Sequence, residues 1–369
     1  MCIRDRRYYL RYGVDLKERE EFTFSPVNFG VVLHAVIREV CDEIKKNGES
    51  YYLISEEKRR EMVKRSVSAI TDIYQNSILK DSSRNSFMIK RMEDLADRTI
   101  WAMGEQLKCG NFVPFVFEHK FNMEVGDGDR KQLMSGTIDR VDICENGTDV
   151  YVRIIDYKTG KKDFNIVKTY YGIDIQLMVY MEAAMKLVAK MRPGKNVIPA
   201  GVFYYNISDP IVSATTESAE EIEDKIKGEL RLKGMVNSDK DIAEKMDNTE
   251  GTSLNIPVSR KADGGFDSRR SKVMNTEQFN MLGRFVDVRA VDTADRIAGG
   301  DIRRSPYKDG QFSSCDRCPY GAVCGFSVDL PGCNYRKLKK FDDEVLWNNI
   351  KEGVDENGKK MDTGAEERD

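Results

Sequence analysis

The chain has 369 residues, of which 40% are hydrophobic and 33% are charged. This apolar content supports a sizeable core and excludes a globally disordered or fibrous protein. The formal net charge of −3 excludes a generic polycation, although a local basic path along a nucleic acid is compatible with it. No run of about 18 apolar residues occurs, and the Arg-rich start lacks the apolar stretch of a signal peptide. We therefore expect no membrane span and a cytoplasmic protein.

The hydrophobic pattern predicts mostly helix in the first hundred residues. Apolar residues at helical spacing predict helices over Phe29–Lys46, Ser55–Asn76 and Ser86–Leu107. The pattern then alternates with period two, which predicts strands over Phe112–Met123, Gln132–Cys144 and Thr148–Lys158. Asn146-Gly147 between the last two strands is typical of a tight hairpin turn.

Most of the elements predicted in the second half of the chain are also helices. Further helices are predicted around Ile173–Leu187, over Ser218–Leu232 and over Thr276–Ala298, with a strand over Val197–Ile207. The region from Asn237 to Arg270 is polar and contains glycine, which predicts a long loop with short pieces of structure. The charged stretch after Lys351 has no apolar pattern, so we expect it to be disordered. A helix-flanked sheet in this order predicts an α/β or α+β fold.

Two carboxylates and a lysine lie at the ends of neighbouring predicted strands. Side chains alternate along a strand, so Asp156 and Lys158 point to one face. Asp139 lies on the preceding strand of the hairpin, where cross-strand neighbours are about 5 Å apart. Asp139 and Asp156 could therefore share one divalent cation, with Lys158 stabilising developing charge. The alternative is an Asp–Lys ion pair at a strand end beside solvated hairpin charges.

Three further side chains could belong to the same site. His34 lies at the border of the apolar stripe of its helix, where it could either reach a cleft as a metal ligand or remain a partly buried surface histidine. Gln176 and Tyr180 are four residues apart and share a helix face. They could contact the lysine, the metal or a DNA backbone, although Tyr180 also lies on the apolar stripe and could serve packing alone.

These residues resemble the RecB-like branch of the PD-(D/E)XK nucleases. The motifs that carry the resemblance are Gly30-Val-Val-Leu-His34, Gly136-Thr-Ile-Asp139-Arg-Val-Asp142, Ile154-Ile-Asp156-Tyr-Lys158-Thr-Gly160 and Gln176-x-x-x-Tyr180. Further segments are similar to the C-terminal nuclease region of AddB-type proteins, the B subunits of bacterial helicase–nucleases: Tyr8-Tyr-Leu-Arg-Tyr-Gly13, Ala200-Gly-Val-Phe-Tyr-Tyr205, Asp209-Pro210, Ser305-Pro-Tyr307 and Cys315-x-x-Cys318-x5-Cys324. The resemblance extends from about Tyr8 to Leu338.

The resemblance implies a central mixed sheet flanked by helices and a role for each site residue. His34, Asp139 and Asp156, together with the Tyr157 carbonyl, would bind Mg²⁺ or Mn²⁺. Lys158 would be the catalytic lysine, and Gln176 and Tyr180 would complete the catalytic group. Glu118 matches a recurrent acidic residue on the first strand and would support the site.

Four of the eight cysteines lie within 19 positions near the end of the chain. Such a local cluster in a large chain is typical of a metal or iron–sulfur site. The resemblance implies that Cys315, Cys318 and Cys324 bind a [4Fe-4S] cluster together with a distant N-terminal cysteine. Arg4 stands where that cysteine is expected, so the fourth ligand is either Cys2 or Cys333. With Cys333 the set could instead be a tetrahedral zinc site.

The resemblance implies four segments. They are a helical lobe with the histidine motif over 1–110, the nuclease core over 111–235, a connecting loop, helix and iron–sulfur segment over 236–340, and a C-terminal helix with its tail over 341–369. The opening Met1–Arg6 resembles translated adapter sequence, so we expect the chain to be a fragment of a longer subunit.

The expected function is Mg²⁺-dependent DNA hydrolysis, exonucleolytic on single-stranded ends, in double-strand-break repair. The expected partners are DNA and the A subunit of a helicase–nuclease. No phosphate-binding Gly-x-x-x-x-Gly-Lys-Ser/Thr motif occurs, so no ATP site is expected in this chain. Two alternatives are a stand-alone RecB-like CRISPR-associated exonuclease and a catalytically inactive DNA-binding scaffold stabilised by its cluster.

Overall fold

A computed structural model describes residues 6–17, 26–73, 83–126, 131–213, 217–316 and 318–366. Its centre is a six-stranded mixed sheet with the strands in chain order. The strands are β1 (Val113–Val125), β2 (Gln132–Asn146), β3 (Asp149–Lys158), β4 (Asn196–Asn206), β5 (Lys233–Asn237) and β6 (Val273–Met274). The β3–β4 and β5–β6 pairs are parallel and the others antiparallel. The predicted α/β fold with a central mixed sheet is confirmed.

Helices cover both faces of this sheet. The helices are α1 (Arg6–Tyr8), continued by a π-helical turn (Tyr9–Gly13), α2 (Pro26–Lys46), α3 (Glu56–Ile73), α4 (Ser83–Lys108), α5 (Ile166–Tyr170), α6 (Gln176–Met191), α7 (Ala219–Glu229), α8 (Lys240–Met246), α9 (Thr276–Ala298), α10 (Gly321–Cys324) and α11 (Asp343–Glu366). A small second sheet consists of β7 (Tyr307–Asp309), β8 (Phe312–Ser313) and β9 (Arg336–Lys337). No helix among the described residues is long and apolar enough to cross a bilayer.

The pleat of β3 divides the core into two layers. Ile155 and Tyr157 belong to the apolar cluster that packs against α2, α3 and α4. Val152 and Ile154 belong to the cluster on the other face, with α6, α9 and α11. Side chains alternate between the faces because successive Cβ atoms of a strand point in opposite directions. The turn between β2 and β3 has Gly147 at φ 59°, as the predicted hairpin requires.

Two predicted boundaries differ from the structure. The helix predicted around Ile173 begins only at Gln176, because the left-handed Gly172 (φ 70°) precedes a short loop. The stretch after Lys351, predicted to be disordered, continues α11 to Glu366. Leu346 and the residue one turn later, Ile350, are buried in the core. They anchor the first turns, and extending an existing helix costs far less than nucleating one.

Candidate active site

The candidate site lies where β2 and β3 separate. Their ladder ends at the pair Arg140–Ile155, and the next residues along the two strands are Asp139 and Asp156. In place of a ladder bond at that point, the Tyr157 backbone N–H donates to Asp139 Oδ2 at 2.6 Å. Both carboxylates are buried. The opening therefore holds two acidic groups side by side, as the hairpin pattern predicted.

Two more ligand-type side chains reach Asp139 from neighbouring elements. His34 projects from α2, and its Nδ1 lies 3.5 Å from Asp139 Oδ2 and 3.5 Å from Glu118 Oε1. Glu118 lies on β1 at φ 45°, a left-handed conformation that is unusual for a residue other than glycine. One ligand atom from each of these three residues lies within 4.8 Å of the others. The structure thus brings His34 and Glu118 to the predicted site.

The charge of this group depends on its two carboxylates. Burial alone lowers the pKa of His34, but hydrogen bonds to Asp139 and Glu118 and their negative charges outweigh burial and raise the pKa to about 10. The imidazole is therefore protonated at neutral pH while no cation is bound. A divalent cation would replace this proton, since an imidazole ligand must be neutral.

Asp156 is held by two side chains, and a third supports one of them. Lys158 Nζ forms an ion pair with Asp156 Oδ2. Gln176 Nε2 donates to Asp156 Oδ1 at 3.0 Å and lies 2.9 Å from the Tyr180 hydroxyl oxygen. Burial and the neighbouring charge of Asp139 raise the pKa of Asp156 to about 6, although the Lys158 ammonium opposes this shift. Burial likewise raises the pKa of Tyr180 to about 12, so its hydroxyl stays protonated.

A family model described as "PD-(D/E)XK nuclease superfamily" matches residues 5–325. The chain belongs to the PD-(D/E)XK nuclease superfamily. Donor chemistry at the site agrees with a superfamily that cleaves phosphodiesters with a metal ion. Carboxylate oxygens suit Mg²⁺ and Mn²⁺, and the histidine nitrogen adds a ligand that transition metals accept readily.

Curated relatives match almost the whole chain. A relative from Thermoanaerobacter sp. (strain X514) is 32% identical over 366 residues, which cover 96% of this chain and 32% of the relative. A relative from Caldanaerobacter subterraneus subsp. tengcongensis is 34% identical, and the match covers 98% of this chain and 32% of the relative. A relative from Clostridium acetobutylicum is 33% identical, and the match covers 95% of this chain and 31% of the relative. All three are named as the B subunit of an ATP-dependent helicase/deoxyribonuclease. The chain spans about one third of the length of these relatives, and the predicted resemblance to B subunits is confirmed.

Sequence reasoning missed a buried ion triad on the opposite face of the sheet. Arg140 donates to both carboxylate oxygens of Asp142 at 2.6 Å, and Arg153 donates to Asp142 Oδ2 at 2.9 Å. All three side chains are at most 1% exposed. The signal in the sequence is Arg153, a charged residue in the middle of an otherwise apolar strand. Asp142 is thus not among the solvated hairpin charges of the alternative interpretation, because α2–α4 cover that face.

A second group that the sequence did not predict lies beside Lys158. Asp174 accepts a hydrogen bond from the Tyr204 hydroxyl at 2.7 Å and forms an ion pair with Lys162 at 3.0 Å. The ammonium groups of Lys158 and Lys162 both lie over the Tyr204 ring, 5.6 and 4.4 Å from its centroid. The Tyr204 ring therefore contacts both lysines on this face of the sheet. No sequence motif marked Asp174, because it lies in the loop before α6.

The C-terminal cysteines lie around the small sheet and α10. Cys315, Cys318 and Cys324 are half-buried and Cys333 is buried, while Cys2 lies outside the described residues. Within the described ranges, the thiols do not form a group of three with ligand atoms within 4.8 Å of one another. The Tyr320 hydroxyl donates to the Leu16 carbonyl at 3.0 Å, which connects the cysteine segment to the N-terminal segment.

Proposed function

We propose that this chain is a metal-dependent DNA nuclease module from the B subunit of a helicase–nuclease. The observation that carries the proposal is the convergence of His34, Glu118 and Asp139 on one point, next to the Asp156–Lys158 pair. A scaffold that only binds DNA has no need of three ligand-type side chains packed against a buried carboxylate and an ammonium group, since such a cluster costs stability without a task.

His34, Asp139, Asp156 and the Tyr157 carbonyl would hold the cation, with Glu118 supporting them. A bound Mg²⁺ or Mn²⁺ supplies Lewis-acid stabilisation of the phosphoryl oxygens. Lys158 stabilises the negative charge that develops as water attacks phosphorus and the bond to the leaving oxygen breaks. Gln176 keeps Asp156 oriented by its 3.0 Å hydrogen bond, and its contact with Tyr180 fixes the amide.

The substrate and partner are proposed from the names of the relatives. These are B subunits of an ATP-dependent helicase/deoxyribonuclease, so an A subunit would be the partner, and DNA ends delivered by a helicase would be the substrate. We propose exonucleolytic action on single strands by the segment 111–235. The segment 1–110 would supply the histidine, and the segment 236–340 would supply the cysteines. The segment 341–369 would complete the core layer that contains α6 and α9.

Cleavage of labelled DNA by anaerobically purified protein tests the nuclease. Wild type should degrade linear single strands in Mg²⁺ and not in EDTA, and it should leave circular single strands intact if it needs an end. Asp156→Asn and Lys158→Ala should abolish cleavage while DNA binding in EDTA persists. Asp149→Asn, the same change at the far end of β3 where the side chain accepts a hydrogen bond from Asn196 at 3.1 Å, is the matched control.

Two outcomes would contradict this proposal. Folded wild-type protein that retains its iron and cuts no DNA would refute a self-sufficient nuclease. Equal loss of cleavage in Asp149→Asn would show that the losses reflect folding and not the site.

The cysteine segment would hold a [4Fe-4S] cluster on Cys315, Cys318 and Cys324, with Cys2 or Cys333 as the fourth ligand. The hydrogen bond from Tyr320 to Leu16 supports this proposal, because it places the N-terminal segment against the cysteine segment. Purified protein should contain iron and acid-labile sulfide, and Cys324→Ser should lose both. Cys109→Ser, at a half-buried cysteine outside the cluster, should retain them. Stoichiometric zinc without sulfide would favour the tetrahedral zinc site instead.

A further inference from the structure

A basic pocket of about 460 Å³ opens beside the candidate active site. Within the described part of the chain, its lining includes six cationic side chains and one acidic side chain, Asp163. The cationic residues are Lys161, Lys162, Arg231, Lys233, Arg270 and Lys272. A surface depression with this excess of positive charge attracts anions.

The register of the sheet places this pocket next to the reacting groups. Asp156 pairs with Tyr204 across β3 and β4, and Tyr204 pairs with Lys233 across β4 and β5. Residues directly opposite each other share a face, and strands are about 4.8 Å apart, so Lys233 lies about 10 Å from Asp156 between Cα atoms. Lys162, which lines the pocket, and Lys158 contact the same Tyr204 ring, so their ammonium groups are no more than about 10 Å apart.

Hydrogen bonds and a buried side chain hold the backbone that carries the pocket residues. Asn206 accepts a hydrogen bond from the Lys162 backbone N–H at 2.9 Å and donates to the Lys162 carbonyl at 3.0 Å. These two bonds fix the loop after β3 that carries the pocket lysines. At the start of β5, Arg231 and Lys233 flank the fully buried Leu232, which anchors this stretch in the core.

Most of the positive charge in the pocket is not neutralised by the protein. Lys162 pairs with Asp174 at 3.0 Å and Lys272 with Asp163 at 2.5 Å. Among the described residues, the other four cations have no carboxylate partner within ion-pair distance. The buried Arg231 Nε also has no hydrogen-bond acceptor in the part of the chain that the structure describes. Burial and the positive charge of Arg231 lower the pKa of Lys233, as expected where like charges are held together.

We propose that this basic pocket binds a phosphate group of the substrate strand, close to the phosphodiester that is cut. The proposal rests on the proposed function, because it is the neighbouring hydrolytic site that identifies the anion as a nucleic-acid phosphate. A phosphate offers several acceptor oxygens to lysine and arginine donors, including the unpaired Arg231 Nε. Holding it on the same sheet face as Asp156 and Lys158 would position the scissile bond over the metal ligands.

Strand binding measured without cleavage tests the pocket. The full-length chain with Lys233→Met and Arg270→Met loses two pocket charges but keeps apolar side chains of similar length. The matched control is Lys190→Met with Lys351→Met, two exposed lysines on α6 and α11 outside the pocket lining. Anisotropy of a labelled single strand of about 20 nucleotides is measured in EDTA over a range of salt concentrations. Each lost phosphate contact reduces the slope of log K against log salt by about 0.7, which is roughly 5-fold in affinity at 0.1 M salt.

Because the pocket would hold one phosphate, the pocket variant should bind about 5-fold more weakly at 0.1 M salt, with a slope smaller by about 0.7, while the control matches wild type. A loss on strands with and without a terminal phosphate assigns the pocket to an internal phosphodiester. A loss confined to strands carrying a terminal phosphate assigns it to that phosphate. Equal affinity and slope for the pocket variant and its control would overturn the proposal. Because EDTA prevents cleavage, this outcome is independent of whether the wild type proves to be a nuclease.

Discussion

The Arg140–Asp142–Arg153 triad allows a stability prediction from burial and geometry. Asp142 is fully buried and accepts three hydrogen bonds of 2.6 to 2.9 Å from the two arginines. Asp142→Ala leaves two buried guanidinium groups without a counter-charge. Removing one partner of a buried ion pair typically costs about 3–5 kcal/mol, and we expect a loss of that size in the free energy of unfolding.

Urea denaturation measures this loss. Trp101 packs against the helical layer and Trp347 against the opposite layer, so fluorescence reports on both parts of the core. With an m-value of about 3 kcal/mol per molar, the midpoint should fall by on the order of 1 M. Glu145→Ala removes the same charge from the same strand, but Glu145 is exposed and pairs with Arg192 at the surface. It should leave the midpoint close to that of wild type.

Replacing the whole triad tests whether a loss of stability in Asp142→Ala comes from the two guanidinium groups left unpaired in the core. Arg140→Met, Asp142→Leu and Arg153→Met together remove every buried charge, and such exchanges are often neutral or stabilising. The triple variant should therefore be more stable than Asp142→Ala alone. An Asp142→Ala variant within about 1 kcal/mol of wild type would refute the reasoning, because two buried guanidinium groups would then lose their counter-charge at little cost.

Lowering the pH should reduce the difference in free energy of unfolding between wild type and Asp142→Ala. Burial alone raises the pKa of Asp142, but the charges of Arg140 and Arg153 outweigh it and hold the pKa below its ordinary value. A lowered folded-state pKa gives a contribution that is complete above the unfolded pKa of about 3.9 and is lost as pH falls through the folded value. The two denaturation midpoints should therefore converge below about pH 4.

Three further substitutions test the site and its support. Gln176→Ala removes the hydrogen bond to Asp156 and should lower metal affinity or cleavage rate about 10–100-fold in a Mg²⁺ titration, whereas unchanged kinetics would exclude an orienting role. In calorimetry at pH 7.5 with buffers of different ionisation enthalpy, Mn²⁺ binding should release about one proton in wild type and fewer in His34→Ala, since the pKa of His34 is raised to about 10. Gly234→Ala would place a Cβ far inside van der Waals contact with the Val202 carbonyl oxygen. Its free energy of unfolding, measured by thermal denaturation, should therefore be lower than that of wild type by at least about 1–3 kcal/mol.

Local patterns predicted most of the fold because they are properties of short segments. The period-two alternation in β2 and β3 placed Asp139 and Asp156 together, and the 3.6-residue period predicted α9 with its observed bounds. Long-range packing was not visible in those patterns. The burial of Asp142 depends on α2–α4 lying over the hairpin, and nothing within the hairpin sequence reports that layer. The role of Asp174 likewise depends on Tyr204, 30 residues later, reaching back to it.

Register connects the candidate metal site to the basic pocket. Asp156, Tyr204 and Lys233 share one row only because β4 and β5 are aligned, and a slip of one residue would turn Lys233 to the other face. Two contacts fix that alignment. Gly234 allows the close approach of β5 to the Val202 carbonyl, which any side chain would prevent, and Asn237 Nδ2 donates to a carbonyl at the other end of the pair at 2.7 Å. If the pocket holds the proposed phosphate, residues far from the candidate metal ligands would therefore determine which phosphate of a bound strand reaches them.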